Sequence, residues 1–229
     1  LEYAVIIGRL NAMKNLRNVE GMARFGINPK NTLGISVPDI RTMAKQIGKD
    51  HFLAQKLWSS GIHEARILAT IIDDPKLITE EQMESWVKEI DSWDICDQCC
   101  GNLFDKTKFA YQKAIEWSNN DKEFIKRAGF SLMAYLVVHD KKAPDKEFAK
   151  FLSDIKAAAT DERNFVKKAV NWALRQIGKR SLELNREAIK TAKEIQKMDP
   201  KSAKWIASDA LRELTGKTVQ ERLKAKASK

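Results

Sequence analysis

Long apolar runs are missing from this chain. The longest, around Ile67–Ile72, is flanked by charge and falls far short of the about 20 residues that a membrane-crossing helix needs. Residues Leu1–Leu10 carry Glu2 and Arg9 and lack a cleavage-site pattern, so no signal peptide is expected and the chain reads as a soluble, cytoplasmic protein. Cysteine is scarce, with all three residues clustered at Cys96, Cys99 and Cys100; an odd cluster is no disulfide framework. His51, His63 and His139 are not placed as finger-type zinc ligands, and no metal or cofactor is expected. A redox Cys-x-x-Cys would need a βαβ setting that this region lacks, so small side chains packed inside a helix are the plainer reading. Strand-like alternation is absent too, which argues against a sheet.

Acidic residues run short in one place only. Residues 161–229 carry 18 Lys and Arg against nine Asp and Glu, whereas the rest of the chain is balanced at 23 against 22, so nearly all of the net charge of +10 comes from the C-terminal third. A basic face favours a polyanion because each phosphate contact releases condensed counterions. A merely solvated basic surface is the alternative.

What the chain does have is helical periodicity and, at 43% hydrophobic residues, enough material for a core. Phe124, Ala128, Leu132 and Tyr135 step by three and four, as do Phe165, Ala169 and Trp172, with Ile177 five residues further on. Start signals stand at Ser36 before Pro38, at Thr79 and at Asp121, and stop signals at Gly48, Gly101 and Gly178. The pattern predicts helices over roughly 2–17, 19–26, 38–48, 50–59, 62–73, 80–90, 92–103, 105–118, 121–139, 145–158, 162–178, 182–197 and 201–214. A basic tail from about 216 to 229 is expected to fray or to contact DNA. Short linkers make neighbours antiparallel, and helix pairs recurring about every 35–45 residues match degenerate HEAT-type repeats. The expected fold is therefore all-α: HEAT-like repeats stacked into a curved solenoid, one domain over residues 1–229, monomeric. An ordinary helical bundle has the same periodicity.

The segment Ser92-Trp93-Asp94-Ile95-Cys96-Asp97 stands out. Trp93 and Asp97 are four apart, so in a helix an indole and a carboxylate project from one face. A core tryptophan beside an exposed aspartate satisfies the same spacing. Trp58, Trp86, Trp117 and Trp205 are assigned to packing.

The Trp-Asp-x-x-Asp segment resembles the catalytic segment of the AlkC/AlkD-type HEAT-like-repeat DNA glycosylases, the DNA alkylation repair enzymes. Met22-Ala23-Arg24-Phe25, the stretch Leu33-Gly34-Ile35-Ser36-Val37-Pro38-Asp39-Ile40-Arg41 with Lys45 beyond it, Leu57-Trp58, His63-Glu64-Ala65-Arg66, Ile125-Lys126-Arg127-Ala128 and Ala169-Val170-Asn171-Trp172-Ala173-Leu174-Arg175 are similar to that family's segments in the same order. The resemblance implies that Trp93 and Trp172 face a lesion, that Asp97 is the catalytic carboxylate, and that Arg127, Arg175, Arg41, Lys45 and Phe25 contact DNA. Phe25 stands where relatives can carry Tyr, and Val37 where they can carry Thr, which removes a hydroxyl from each place.

Those residue types suit excision of a purine alkylated at N3 or N7. Such a base is already cationic and leaves without acid catalysis, while the sugar develops oxocarbenium character that a fixed carboxylate stabilises. Indole faces attract the cation for about 0.5–2 kcal/mol each. The implied partner is double-stranded DNA with alkylated bases. A DNA-binding HEAT-like protein without chemistry that recognises bent or damaged duplex, and a protein-interaction scaffold, are the competing readings.

Overall fold

A computed structural model describes residues 2–228. Helices account for every regular element among them, and no strand occurs. The chain divides into two compact units, one ending at Lys108 and the other beginning at Phe109.

The first unit contains α1 (Tyr3–Ala12), α2 (Leu16–Arg24), α3 (Val37–Ile47), α4 (His51–Ser59), α5 (His63–Ile72), α6 (Glu80–Lys88) and α7 (Trp93–Asn102), closed by a 3-10 turn at Phe104–Lys106. The helix expected over 2–17 stops at Ala12, and the one expected over 19–26 begins already at Leu16. Asn15 is held out of helical geometry by donating its backbone N–H to the Leu33 carbonyl at 2.7 Å, and its side chain then caps α2 by accepting from the Asn18 amide. Ser36 caps α3 in the same way, with Pro38 in the first turn, and Gly48 ends it at a φ of 79°. Thr79 caps α6. Gly101, expected as a stop, lies inside α7.

Helices α3, α5 and α7 pack side by side as one row, with α4 laid against α5. Two aromatic rings tie α4 to α6: Trp58 and Trp86 stack at 4.1 Å between centroids, 3° from parallel. Both are buried, as is Trp117 in the second unit. The row is fastened by one buried carboxylate. Glu64, fully enclosed on α5, accepts from the backbone amides of Leu33 (2.8 Å), Gly34 (2.7 Å) and Ile35 (3.3 Å). Three oriented N–H dipoles supply what water would have supplied to that charge. Gly34 is required there: its φ is +81°, and an added Cβ would meet the Asn15 carbonyl oxygen at 2.2 Å.

The second unit contains α8 (Ala110–Ser118), α9 (Glu123–His139), α10 (Asp145–Ala149), α11 (Phe151–Ala158), α12 (Asn164–Gly178), α13 (Leu182–Gln196), α14 (Lys201–Leu214) and α15 (Lys217–Ala227). Helices α9, α12 and α14 form one row; α8, α11 and α13 form a second row behind it. Gly129 lets α9 cross α8 closely, because a Cβ there would lie 2.3 Å from the Ser118 nitrogen. Four expectations change here. The helix expected over 105–118 begins at Ala110, after the 3-10 turn. The one expected over 145–158 is two helices meeting at Lys150. The cap of α9 is Lys122 rather than Asp121, with no side-chain bond. The C-terminal stretch is helical as far as Ala227, anchored by buried Val219 and Leu223, while Lys229 lies outside the described residues.

Several of the side-chain bonds between neighbouring segments share one separation within each unit. In the first, Leu33–Glu64, Trp58–Glu89, His63–Asp94 and Thr70–Asn102 span 31 or 32 residues. In the second, Arg127–Phe165, Lys156–Glu194, Asn171–Asp209 and Arg175–Glu213 all span 38. Each such step is one structural repeat, and the expected 35–45 residues describes only the second unit.

Candidate nucleic-acid interface

In the first unit the site is built on the start of α7. Trp93 is its first residue and Asp97 follows one turn later; both are half-buried. The indole is fixed by its Nε1–H, which donates to the Phe25 carbonyl at 3.0 Å. The chain after Phe25 is strapped to the same place, with the Asn28 amide donating to Ser92 Oγ at 3.1 Å. Phe25 itself, at the end of α2, turns its ring outward and is 75% exposed. The first turn of α7 is held from the other side by His63 Nε2 and Asp94 Oδ2 at 2.8 Å. Burial alone would lower the His63 pKa, but Asp94, with Glu64 and Asp91 nearby, outweighs it and the net shift is upward. Asp94 is thus committed to the scaffold, whereas Asp97 lies on the face that carries Trp93.

The cations of this unit stand beside it. Arg41 and Lys45, a turn apart on α3, are both exposed. The Arg41 guanidinium donates to Gln98 and Asn102 of α7, each at 3.3 Å, and neither it nor Lys45 forms an ion pair among the described residues. Beyond Asp97 the helix turns inward: Cys96, Cys99 and Cys100 are buried, and burial pushes the Cys99 and Cys100 thiols well above their usual value. No group of residues suited to a metal ion occurs among the described residues, and no helix there is long and apolar enough to cross a membrane.

The second unit places its expected residues on α9 and α12. Trp172 is half-buried and meets the Tyr135 ring edge-on, at 4.9 Å and 84°. Arg175, three residues on, pairs with Asp209 at 3.0 Å and with Glu213. Lys179 also pairs with Glu213, at 2.9 Å. Arg127 is only 5% exposed, and its Nη1 donates to the Phe165 carbonyl at 2.7 Å, clamping the start of α12. Its guanidinium therefore has a structural task in addition to any contact with DNA. Phe165 lies 38 residues further along the chain, so no local pattern in the sequence marks this partner.

Reading by sequence also missed Tyr135, Glu64 and the His63–Asp94 pair. One assignment needs correcting outright: Trp205 is not a packing residue. It is 41% exposed on α14, and the Lys167 ammonium lies 5.7 Å from its ring centroid. The buried stripe of α14 runs through Ser202, Ala203, Ile206, Ala207, Ala210 and Leu214, and residue 205 falls off it.

The profile of a family described as DNA alkylation repair enzyme matches residues 6–214. No curated protein gives a significant match. Among solved structures, the chain is similar at a TM-score of 0.80 and 19% identity, over 97% of its length and 96% of the other's, to a member of "a new family of proteins related to the HEAT-like repeat DNA glycosylases with affinity for branched DNA structures". The fold is that of the HEAT-like repeat proteins.

Proposed function

Because the chain belongs to the DNA alkylation repair enzyme family, we propose that it is a DNA glycosylase that removes cationic alkylated purines, of the 3-methyladenine and 7-methylguanine type, from duplex DNA. The observation that carries this reading is the start of α7, where a pinned indole and a half-buried carboxylate share one face and the neighbouring Asp94 is engaged by His63.

In the proposed reaction the C1′–N bond breaks and its electron pair passes to the base, cancelling the positive charge that alkylation had placed there. The sugar is left as an oxocarbenium ion. Asp97 stabilises that ion and orients a water; the water oxygen bonds to C1′ and loses a proton to solvent, giving an abasic site and a neutral free base. Trp93 and Trp172 are assigned to the cationic lesion or sugar, and Arg41 and Lys45 to backbone phosphates, which fix position without reading sequence. The residues invoked need no cofactor for this chemistry.

The test is release of free base from methylated duplex by the wild type and by Asp97→Asn. Loss of one fixed charge at the developing cation predicts a fall of about 100-fold or more, with DNA affinity kept. Equal rates would remove Asp97 from the mechanism. A second reading, binding without chemistry, is favoured by the described affinity of the similar protein for branched DNA; it predicts no base release from any methylated duplex and tight binding to junctions.

A further inference from the structure

We infer that Trp205 and the lysines around it form a second DNA-binding site, one that stacks an unpaired base and so takes single-stranded overhangs or arms rather than intact duplex. The inference goes beyond the glycosylase reading and does not depend on Asp97.

The site lies where α12 and α14 run side by side in the 38-residue register. Successive rungs join Asn171 to Asp209 and Arg175 to Glu213, and the Lys167–Trp205 contact is the first rung of the same ladder. Along the ladder the chemistry changes. At its far end the carboxylates of Asp209 and Glu213 are taken up by Arg175 and Lys179. At its near end the Glu162 carboxylate accepts from the Ser202 backbone amide at 3.0 Å, while Lys168, Lys201 and Lys204 form no ion pair among the described residues and are exposed, as is Trp205. Lys201 is one helical turn before Trp205 and on its face.

An exposed indole within a field of ammonium groups is an unstable compromise for a surface that meets only water, since a large apolar face stays hydrated. It suits a nucleotide. A base, whatever its sequence, covers the ring, while its flanking phosphates meet the lysines. Paired bases inside a duplex present no open face to the ring, so the site distinguishes unpaired from paired nucleotides without reading sequence.

The experiment compares the affinity of wild type and Trp205→Ala for two DNAs of equal duplex length, one blunt and one with a ten-nucleotide thymidine overhang. Stacking of one base predicts a loss of about 5- to 100-fold on the overhang substrate, with blunt-duplex affinity changed less than about twofold. Trp205→Phe keeps a ring and should recover most of the loss. Equal losses on both DNAs, or none on the overhang, would overturn the proposal. Photocrosslinking of wild-type protein to an overhang carrying 5-iodouracil provides a check that needs no variant: the adduct should map to Trp205, and an adduct confined to other peptides counts against the site. Base release from blunt methylated duplex should be the same in Trp205→Ala as in wild type, so this proposal and the glycosylase reading fail on different substrates.

Discussion

The two units use the same helix-on-helix plan but secure it differently. The first unit, stepping by 31 or 32 residues, is joined by a buried carboxylate that gathers backbone amides and by a histidine–aspartate pair. The second, stepping by 38, is joined by guanidinium and ammonium groups reaching carbonyls and carboxylates one repeat away. The consequence concerns the cations. In the first unit Arg41 is held only by the amide side chains of Gln98 and Asn102, and Lys45 forms no ion pair among the described residues, so phosphate would take either at little cost. In the second, Arg127 and Arg175 are already engaged, and any contact with DNA would require them to loosen an existing partner. Residues that look equivalent in the sequence thus differ in what they have left to offer.

The sharpest way to break the comparison is to remove the fastener of the first unit. Glu64→Ala would strand the Leu33, Gly34 and Ile35 amides in the interior. Losing charge-assisted bonds of this kind and leaving their donors unmet predicts a destabilisation of about 3 kcal/mol or more in urea unfolding. Amide hydrogen exchange should accelerate first at those three positions. Unchanged stability would show that the buried carboxylate is not what holds the row.

A smaller effect separates the cations. Arg41→Ala should weaken duplex binding and flatten the plot of log affinity against log salt by about one unit. Arg175→Ala should change that slope by much less, because the arginine is already neutralised, and should instead lower the thermal midpoint. Equal slopes for the two variants would mean that Arg175 leaves its carboxylates when DNA arrives.

The smallest expected effects concern pH, and they fall at opposite ends of the scale. The His63 pKa is raised above its usual 6.5, so the stability it contributes is complete below about that pH and is lost as pH rises through the folded value. Asp161, with Arg163 hydrogen-bonded to its carboxylate, has its pKa lowered from 3.8 to about 2; its contribution is present above 3.8 and is lost as pH falls through about 2. His63→Gln should therefore flatten the thermal midpoint on the alkaline side, and Asp161→Asn on the acid side. A variant that flattens the other limb would show that the assignment is reversed.

Helix identity was legible because its signals are local. Ser36, Thr79 and Gly48 cap the helices at which they were read, whereas Asp121 and Gly101 do not, since a cap also needs the chain to turn there. The amphipathic tail after Gly216 looked like fraying because its apolar residues, Val219 and Leu223, are few; they are buried because α15 folds back against α13 and α14. The segments His63-Glu64-Ala65-Arg66 and Leu33-Gly34-Ile35, which carried the family resemblance, prove to be mutual partners in the scaffold. Arg66 completes the set by pairing with Glu89 at 2.9 Å and lying over the Trp58 ring.

What the sequence determined by itself is the helical class, the position of most helices, and the shared face of Trp93 and Asp97, all properties that depend on residues within four or five places of each other. Tertiary structure decided which charges are already engaged, that Arg127 is enclosed, and that Trp205 faces outward among lysines. The physical reason is distance along the chain. Those outcomes depend on partners about one repeat away, and local periodicity contains no information about which side chain a neighbouring helix will bring.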